Sequence, residues 1–300
     1  MVSTNHSPLL AASRRRAVVL GGGGATGNAW LIGVVAGLLE AGIDVTRADL
    51  LIGTSAGSTA AAQVTSASAL DLLAAVLEEP VPQRPPAPRG APRPVTDQME
   101  RTARLIAAAA DAADMRRRLG AAALELAEAA GESFTERWRA TVLARLPSRT
   151  WPAQDLLITA VDAQTGEPVG FDRDSGIDLV DAVAASCSSG PAYRIGDRRY
   201  IDGGYRANAD NADLAAGYDD VLVLSPFGGR SRVPRAWGLD LASQVAELRA
   251  GGSRVEIVVP DDERFVGAQA MDLSLRPAAA RAGREQAREL ADRIAALWSS

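Results

Sequence analysis

Lysine is absent from this chain: all 32 basic residues are arginine, against 37 Asp and Glu, for a net charge of −5. Arginine clusters can grip phosphate bidentately, but biased codon usage explains a lysine-free, alanine-rich chain at least as well. The acidic balance gives no support to non-specific nucleic-acid binding. Histidine occurs once, as His6, and cysteine once, as Cys187. A single cysteine excludes an internal disulfide and any multi-cysteine metal site. With one of each, a zinc centre is not expected, and neither is any other metal or cofactor. Long apolar runs are missing too, since none approaches the roughly 20 residues of a membrane span. The cluster Arg14-Arg15-Arg16 runs straight into a strand and glycines, which is not the order of a signal peptide. The expected location is the cytoplasm, with any membrane contact peripheral. Trp30, Trp138, Trp151, Trp237 and Trp298 are scattered, as core fillers rather than an interfacial belt. Arg116-Arg117-Arg118 reads as a solvated face or as a contact for anionic lipid.

What remains is an ordinary globular composition, 47 % apolar and 23 % charged over 300 residues. Residues 1–16 are expected to be disordered. Ala17–Leu20 is a short buried strand that ends in four glycines, and Asn28 to Glu40 carries a helical apolar pattern stopped by Gly42. Leu50–Ile52 is a second strand, followed by small helix-compatible residues from Ser55 to Ser68. Strand, helix, strand, helix argues for a parallel sheet with covering helices. The Pro-rich stretch 80–94 is a linker or a lid, and 97–146 holds two or more helices. Further strands are expected at 156–161, 169–171 (a hairpin partner), 199–201, 221–224 and 255–259. Helices are expected at 178–186, 239–249 and 277–297. The fold class is α/β, a three-layer α/β/α arrangement with a mainly parallel central sheet and a helical, Pro-rich insertion near 67–150. No internal repeat is present.

Three motifs carry chemistry. Gly21 to Gly27 reads GGGGATG between a strand and a helix. Such a loop aims several N–H groups at one point, near the positive end of a helix, and suits an anion. It also satisfies the dinucleotide pattern G-x-G-x-x-G through Gly22, Gly24 and Gly27. That alternative requires an acid at the end of the next strand, which here ends Ile52-Gly53-Thr54. A plain turn is the remaining reading. Gly53-Thr54-Ser55-Ala56-Gly57 is a G-x-S-x-G motif directly after a buried strand. A strand–Ser–helix junction of this kind exposes the serine hydroxyl above the sheet; the bland alternative is a helix start in small residues. Gly53 and Gly57 remove Cβ clashes that the turn would cause. Asp202-Gly203-Gly204 follows a short strand and reads either as an ordinary Asp-Gly turn or as a carboxylate given room to approach another backbone. A histidine-dependent hydrolase needs a His after the acid in chain order, and none follows.

In order and spacing, a glycine loop, a serine elbow and a distant DGG resemble the patatin-like phospholipases, from about Ala17 to the C-terminal helix. The segment 181–226 and Met271-Asp272 ahead of the last helix extend the resemblance. It implies a hydrolase domain over 17–298 and a Ser55–Asp202 dyad that requires no histidine. It also implies a lipid or acyl-ester substrate, an acyl-enzyme, and an oxyanion hole from the amides of Gly22, Gly23, Gly24 and Ala56. Gly27, Gly53, Gly57, Gly203 and Gly204 would support the motifs. Burial would raise the carboxyl of Asp202 above its ordinary pKa of about 3.9 and make it a better base. One position departs from the family: its glycine loop usually reads G-G-G-x-Arg/Lys-Gly, and the basic residue is Thr26 here. A weakly active or regulatory relative that binds an acyl ligand is therefore the alternative, with a nucleotide-binding α/β enzyme behind it.

Overall fold

A computed structural model describes residues 14–79, 94–265 and 267–298. Residues 1–13, and the Pro-rich stretch apart from Pro94, lie outside them. The strands are β1 (Arg16–Leu20), β2 (Leu50–Gly53), β3 (Leu156–Asp162), β4 (Pro168–Phe171), β5 (Tyr193–Ile195), β6 (Arg198–Asp202), β7 (Asp220–Leu224) and β8 (Arg254–Val258). Hydrogen-bonded pairs link them into one sheet along the path β5-β6-β3-β2-β1-β7-β8, with β4 also paired to β3. The pairs β3–β2, β2–β1, β1–β7 and β7–β8 are parallel. β4 and β6 run against β3, and β5 against β6. The uninterrupted apolar runs of β1, β2 and β7 fit central parallel strands, which are covered on both faces.

The helices are α1 (Gly24–Glu40), α2 (Ala56–Val64), α3 (Ala69–Glu78), α4 (Pro94–Ala107), α5 (Ala112–Ala130), α6 (Ser133–Leu143), α7 (Leu179–Ser186), α8 (Leu241–Ala250), α9 (Arg276–Glu289) and α10 (Ala291–Trp298). Successive strand residues point to opposite faces, and two cores result. Val18, Leu20, Leu51, Leu222 and Leu224 pack with α1, α2, α3, α7, α9 and α10. Ala17, Val19, Ile52, Val221 and Val223 pack under α8, and Val161 and Ile201 under α5. The fold is three-layer α/β/α around a mostly parallel sheet. The helices between 67 and 150 join both layers: Leu73, Val76 and Val142 enter the first core, and Met115, Leu119 and Ala123 lie on the opposite face. Trp30 and Trp298 are buried, and the other three tryptophans pack half-buried at the core margins.

Some boundaries differ from expectation. α1 begins at Gly24, four residues before Asn28, so the glycine loop feeds directly into the helix. The expected last helix is two, because at Leu290 the chain tightens and its amide reaches back to Gln286 O and Arg288 O. α10 then turns Ile294, Leu297 and Trp298 into the core. Arg14 belongs to the fold, bound to buried Asp220 at 2.8 Å.

The edges of β3 determine what meets at the top of the sheet. Ile158 pairs with both Gly53 of β2 and Phe171 of β4, so β2 and β4 occupy opposite edges. Ala160 pairs with both Val169 of β4 and Asp202 of β6, so β6 also lies opposite β4. β2 and β6 therefore share one edge of β3, and β6 takes over where β2 ends. The chain leaves that edge at Ser55, and Asp202 arrives there.

Candidate active site

Two strand–helix junctions lie side by side, because Leu20 of β1 pairs with Gly53 of β2. From β1 the sequence continues to β2 on one side, and β7 pairs on the other. The site is thus at the carboxyl ends of parallel strands where the strand order reverses, the usual ligand position in such sheets. The amide of Thr54 donates to Leu20 O at 3.1 Å and ties the two junctions together.

Ser55 has φ 52° and ψ −117° and stands immediately before α2. Ser55 and Asn211 are the non-glycine residues with positive φ among the described residues. Backbone strain of this kind costs about 1–3 kcal/mol and persists only where surroundings enforce it. The elbow is packed at backbone contact. A Cβ on Gly57 would lie 1.9 Å from Leu20 O, and one on Gly53 would lie 2.6 Å from the Cα of Ser58.

The Ser55 hydroxyl donates to Asp202 Oδ2 at 2.7 Å. The other carboxylate oxygen, Oδ1, accepts the amide of Gly204 at 2.8 Å. Burial pushes Asp202 up to about 6, although both hydrogen bonds favour its charged form. Gly203 lets this turn press on β3, since a Cβ there would sit 2.1 Å from Thr159 Oγ1. A buried network underlies the pair. Thr54 Oγ1 meets Thr159 Oγ1 at 2.9 Å, and Asn211 Nδ2 donates to Thr54 Oγ1 at 3.1 Å and to Gly203 O at 3.0 Å.

The expected oxyanion donors divide. The amide of Gly22 is already donated to Ala209 O at 2.8 Å, so it is not free to bind a substrate oxygen. This corrects the expectation for Gly22 as a donor; a Cβ there would meet Ala209 O and the Ser55 Cβ at 3.5 Å, an ordinary van der Waals contact. The amides of Gly23, Gly24 and Ala56 find no acceptor among the described residues, as befits the first turns of α1 and α2. Gly27 donates to Gly23 O within α1 and packs on Pro226. Such free amides, at two helix starts beside a hydroxyl, suit a developing oxyanion.

Thr26 is buried and turned away from the site; its hydroxyl donates to Phe265 O at 2.7 Å and lies 3.3 Å from Ala270 O. It anchors the segment that carries Met271, whose sulfur overlies Gly24. A cation does reach the start of α1, from another element. Arg276 donates to Ala25 O and Asn28 Oδ1, each at 3.1 Å, and pairs with Glu79 at 2.8 Å.

Sequence reasoning missed Thr54, Thr159, Asn211 and the segment Ser186-Cys187-Ser188, which also touches both Ser55 and Asp202. These are ordinary small polar residues, and apart from the half-buried Cys187 only their complete or near-complete burial marks them out. Asp210 was missed as well. Burial pushes its carboxyl up to about 7, and its Oδ1, which has no hydrogen-bond partner among the described residues, packs against Gly21. Among the described residues, no three His, Cys, Asp or Glu side chains converge as a metal-ligand set.

Solved structures similar to this chain include VipD from Legionella pneumophila, at 14 % identity and a TM-score of 0.45, covering 94 % of this chain and 67 % of VipD. The type III effector protein ExoU is similar at 17 % identity and a TM-score of 0.34, covering 92 % of this chain and 53 % of ExoU. The chain thus spans about half the length of ExoU. No curated protein matches it. The patatin-like phospholipase family model matches residues 18–215, a span that includes the glycine loop, Ser55 and Asp202. By that match the chain belongs to the patatin-like phospholipase family.

Proposed function

We propose that the protein is a lipid acyl hydrolase working through a Ser55–Asp202 dyad within one hydrolase domain over residues 17–298. The single observation that carries this reading is the 2.7 Å hydrogen bond from Ser55 Oγ to a buried carboxylate. The only histidine, His6, lies outside the described residues. Ser55 Oγ attacks the ester carbonyl carbon and its proton passes to Asp202 Oδ2. The carbonyl oxygen becomes an oxyanion held by the free amides of Gly23, Gly24 and Ala56. Collapse of the tetrahedral intermediate breaks the bond to the alcohol, which leaves with the proton from Asp202. Water then attacks the acyl-enzyme and gives a proton to Asp202, which returns it to Ser55 as the fatty acid departs. No metal or cofactor takes part in this scheme.

The substrate class is an ester of a fatty acid, on the strength of family membership. No helix among the described residues is long and apolar enough to cross a membrane. Contact with a lipid surface is accordingly proposed as peripheral, for a protein of the cytoplasm. Ser55→Ala and Asp202→Asn should each lower hydrolysis of a p-nitrophenyl acyl ester at least about a thousandfold. Wild-type turnover in either variant rules out the dyad.

A second reading is a weakly active or regulatory relative that binds an acyl ligand, and the observation favouring it is Thr26. The residue aims its hydroxyl at Phe265 O rather than offering a charge to the loop. A fluorophosphonate probe separates the two: labelling of Ser55 in the folded protein supports the hydrolase, and its absence supports the binder.

A further inference from the structure

Ser55 holds a backbone conformation that side chains rarely adopt, so something must enforce it. Both polar groups of its backbone are held. Its carbonyl accepts the amides of Ser58 and Thr59 at 2.9 and 3.2 Å, the hydroxyl of Ser58 at 2.6 Å and the thiol of Cys187 at 3.1 Å. Its N–H has one partner, the hydroxyl oxygen of Ser186, at 2.9 Å. Ser186 is the last residue of α7 and is fully buried. Two residues on, Ser188 O accepts the amide of Asp202 at 2.9 Å. Three consecutive residues at the end of one helix therefore grip the residue carrying the hydroxyl and the residue carrying the carboxylate. No other described segment hydrogen-bonds to the backbone of both.

We propose that Ser186 is a positioning residue for the nucleophile, and that Ser186-Cys187-Ser188 acts as a gauge fixing the separation of Ser55 and Asp202. The proposal rests on the dyad reading above. Its physical basis is direct. With its N–H bound to Ser186, the Ser55 peptide plane cannot rotate about the strained φ, and Oγ stays directed at Asp202 Oδ2. The same bond keeps the Ser55 amide out of the oxyanion hole and leaves that duty to Ala56, Gly23 and Gly24. Without the hydroxyl, the N–H loses its buried partner and the residue is free to relax away from the carboxylate.

The test uses the full chain, with turnover of a p-nitrophenyl acyl ester counted per site titrated by a fluorophosphonate. Ser186→Ala should lower kcat about 10- to 100-fold with KM within about twofold, the size of effect that a misplacement of about 1 Å produces. Its acid limb should also move to higher pH, because the Ser55 hydrogen bond helps keep Asp202 ionised. A merely structural serine would lower the number of titratable sites and the melting temperature, leaving kcat per site and the acid limb unchanged. That outcome, with Ser55→Ala inactive, overturns this inference alone. Full activity in Ser55→Ala removes the dyad and this inference together. If Ser186→Ala yields no folded protein, Cys187→Ala and Cys187→Ser replace it. A lower kcat in the alanine variant than in the serine variant, which keeps a donor to Ser55 O, supports the gauge; equal kcat overturns it.

Discussion

In the proposed mechanism Asp202 must be ionised before it can take a proton from Ser55, and burial makes that ionisation harder. The balance lies at about 6, well above the 3.9 or so of an exposed aspartate. A base with this value is still charged at neutral pH and holds a proton more readily than an exposed carboxylate does. Because the proposed mechanism requires the ionised form, kcat/KM should hold steady above about pH 7 and fall about tenfold per unit below about pH 6. A rate profile in p-nitrophenyl ester checks this, and an acid limb near the ordinary aspartate value would contradict it. The other residue of consequence is Thr26. It replaces a charge with a buried anchor, while Arg276 brings a cation to Ala25 O from the start of α9. That cation is shared with Glu79, so its field at the loop is weaker than that of an unpaired one.

The pairing of α1 with α9 shows how an element is positioned by what it omits. A Cβ on Gly33 would lie 2.1 Å from Ala280 O, one on Gly37 2.5 Å from Arg284 O, and one on Gly283 2.4 Å from Trp30 O. The helices touch backbone to backbone along this seam, and α1 also supplies the glycine-loop amides. Gly33→Ala should destabilise the protein by about 1–3 kcal/mol by forcing the helices apart, read as a lower midpoint in urea. An unchanged midpoint would show that the seam has slack. This seam was not legible in the sequence, where Gly33 and Gly37 only interrupt an apolar pattern. The strands and the two glycine-bearing junctions were legible, because apolar runs and turn glycines are local signals. The amide of Gly22 was misjudged because its acceptor, Ala209, belongs to a loop far along the chain. β5 escaped notice because three residues carry no period. The break at Leu290 has no glycine or proline to mark it. Ser186 was invisible for the same reason as Gly22: its function is a contact with a residue distant in sequence.

Across the whole molecule, buried carboxyls pull stability in opposite directions as pH changes. Asp210 has a folded value of about 7 against about 3.9 unfolded. A raised value stabilises fully below the unfolded pKa, and that contribution is lost as pH rises through about 7. Asp220 is the reverse: burial pushes it up, but Arg14 and Arg254 more than offset this and hold it below the ordinary range. Its contribution is present above the unfolded value and lost as pH falls through the depressed one. Asp210→Asn should therefore raise the melting temperature relative to wild type more at about pH 8 than at about pH 5. An equal difference at both values would mean that Asp210 does not titrate with folding. The shared edge of β3 has a consequence of another kind. Ser55 and Asp202 are set by strand register, since β2 and β6 abut along one ladder. A change of length in a connection that touches neither ladder leaves this register intact. A one-residue slip of β6 on β3 would instead turn Asp202 to the opposite face of the sheet. The meeting of Ser55 and Asp202 is thereby sensitive to errors of strand pairing.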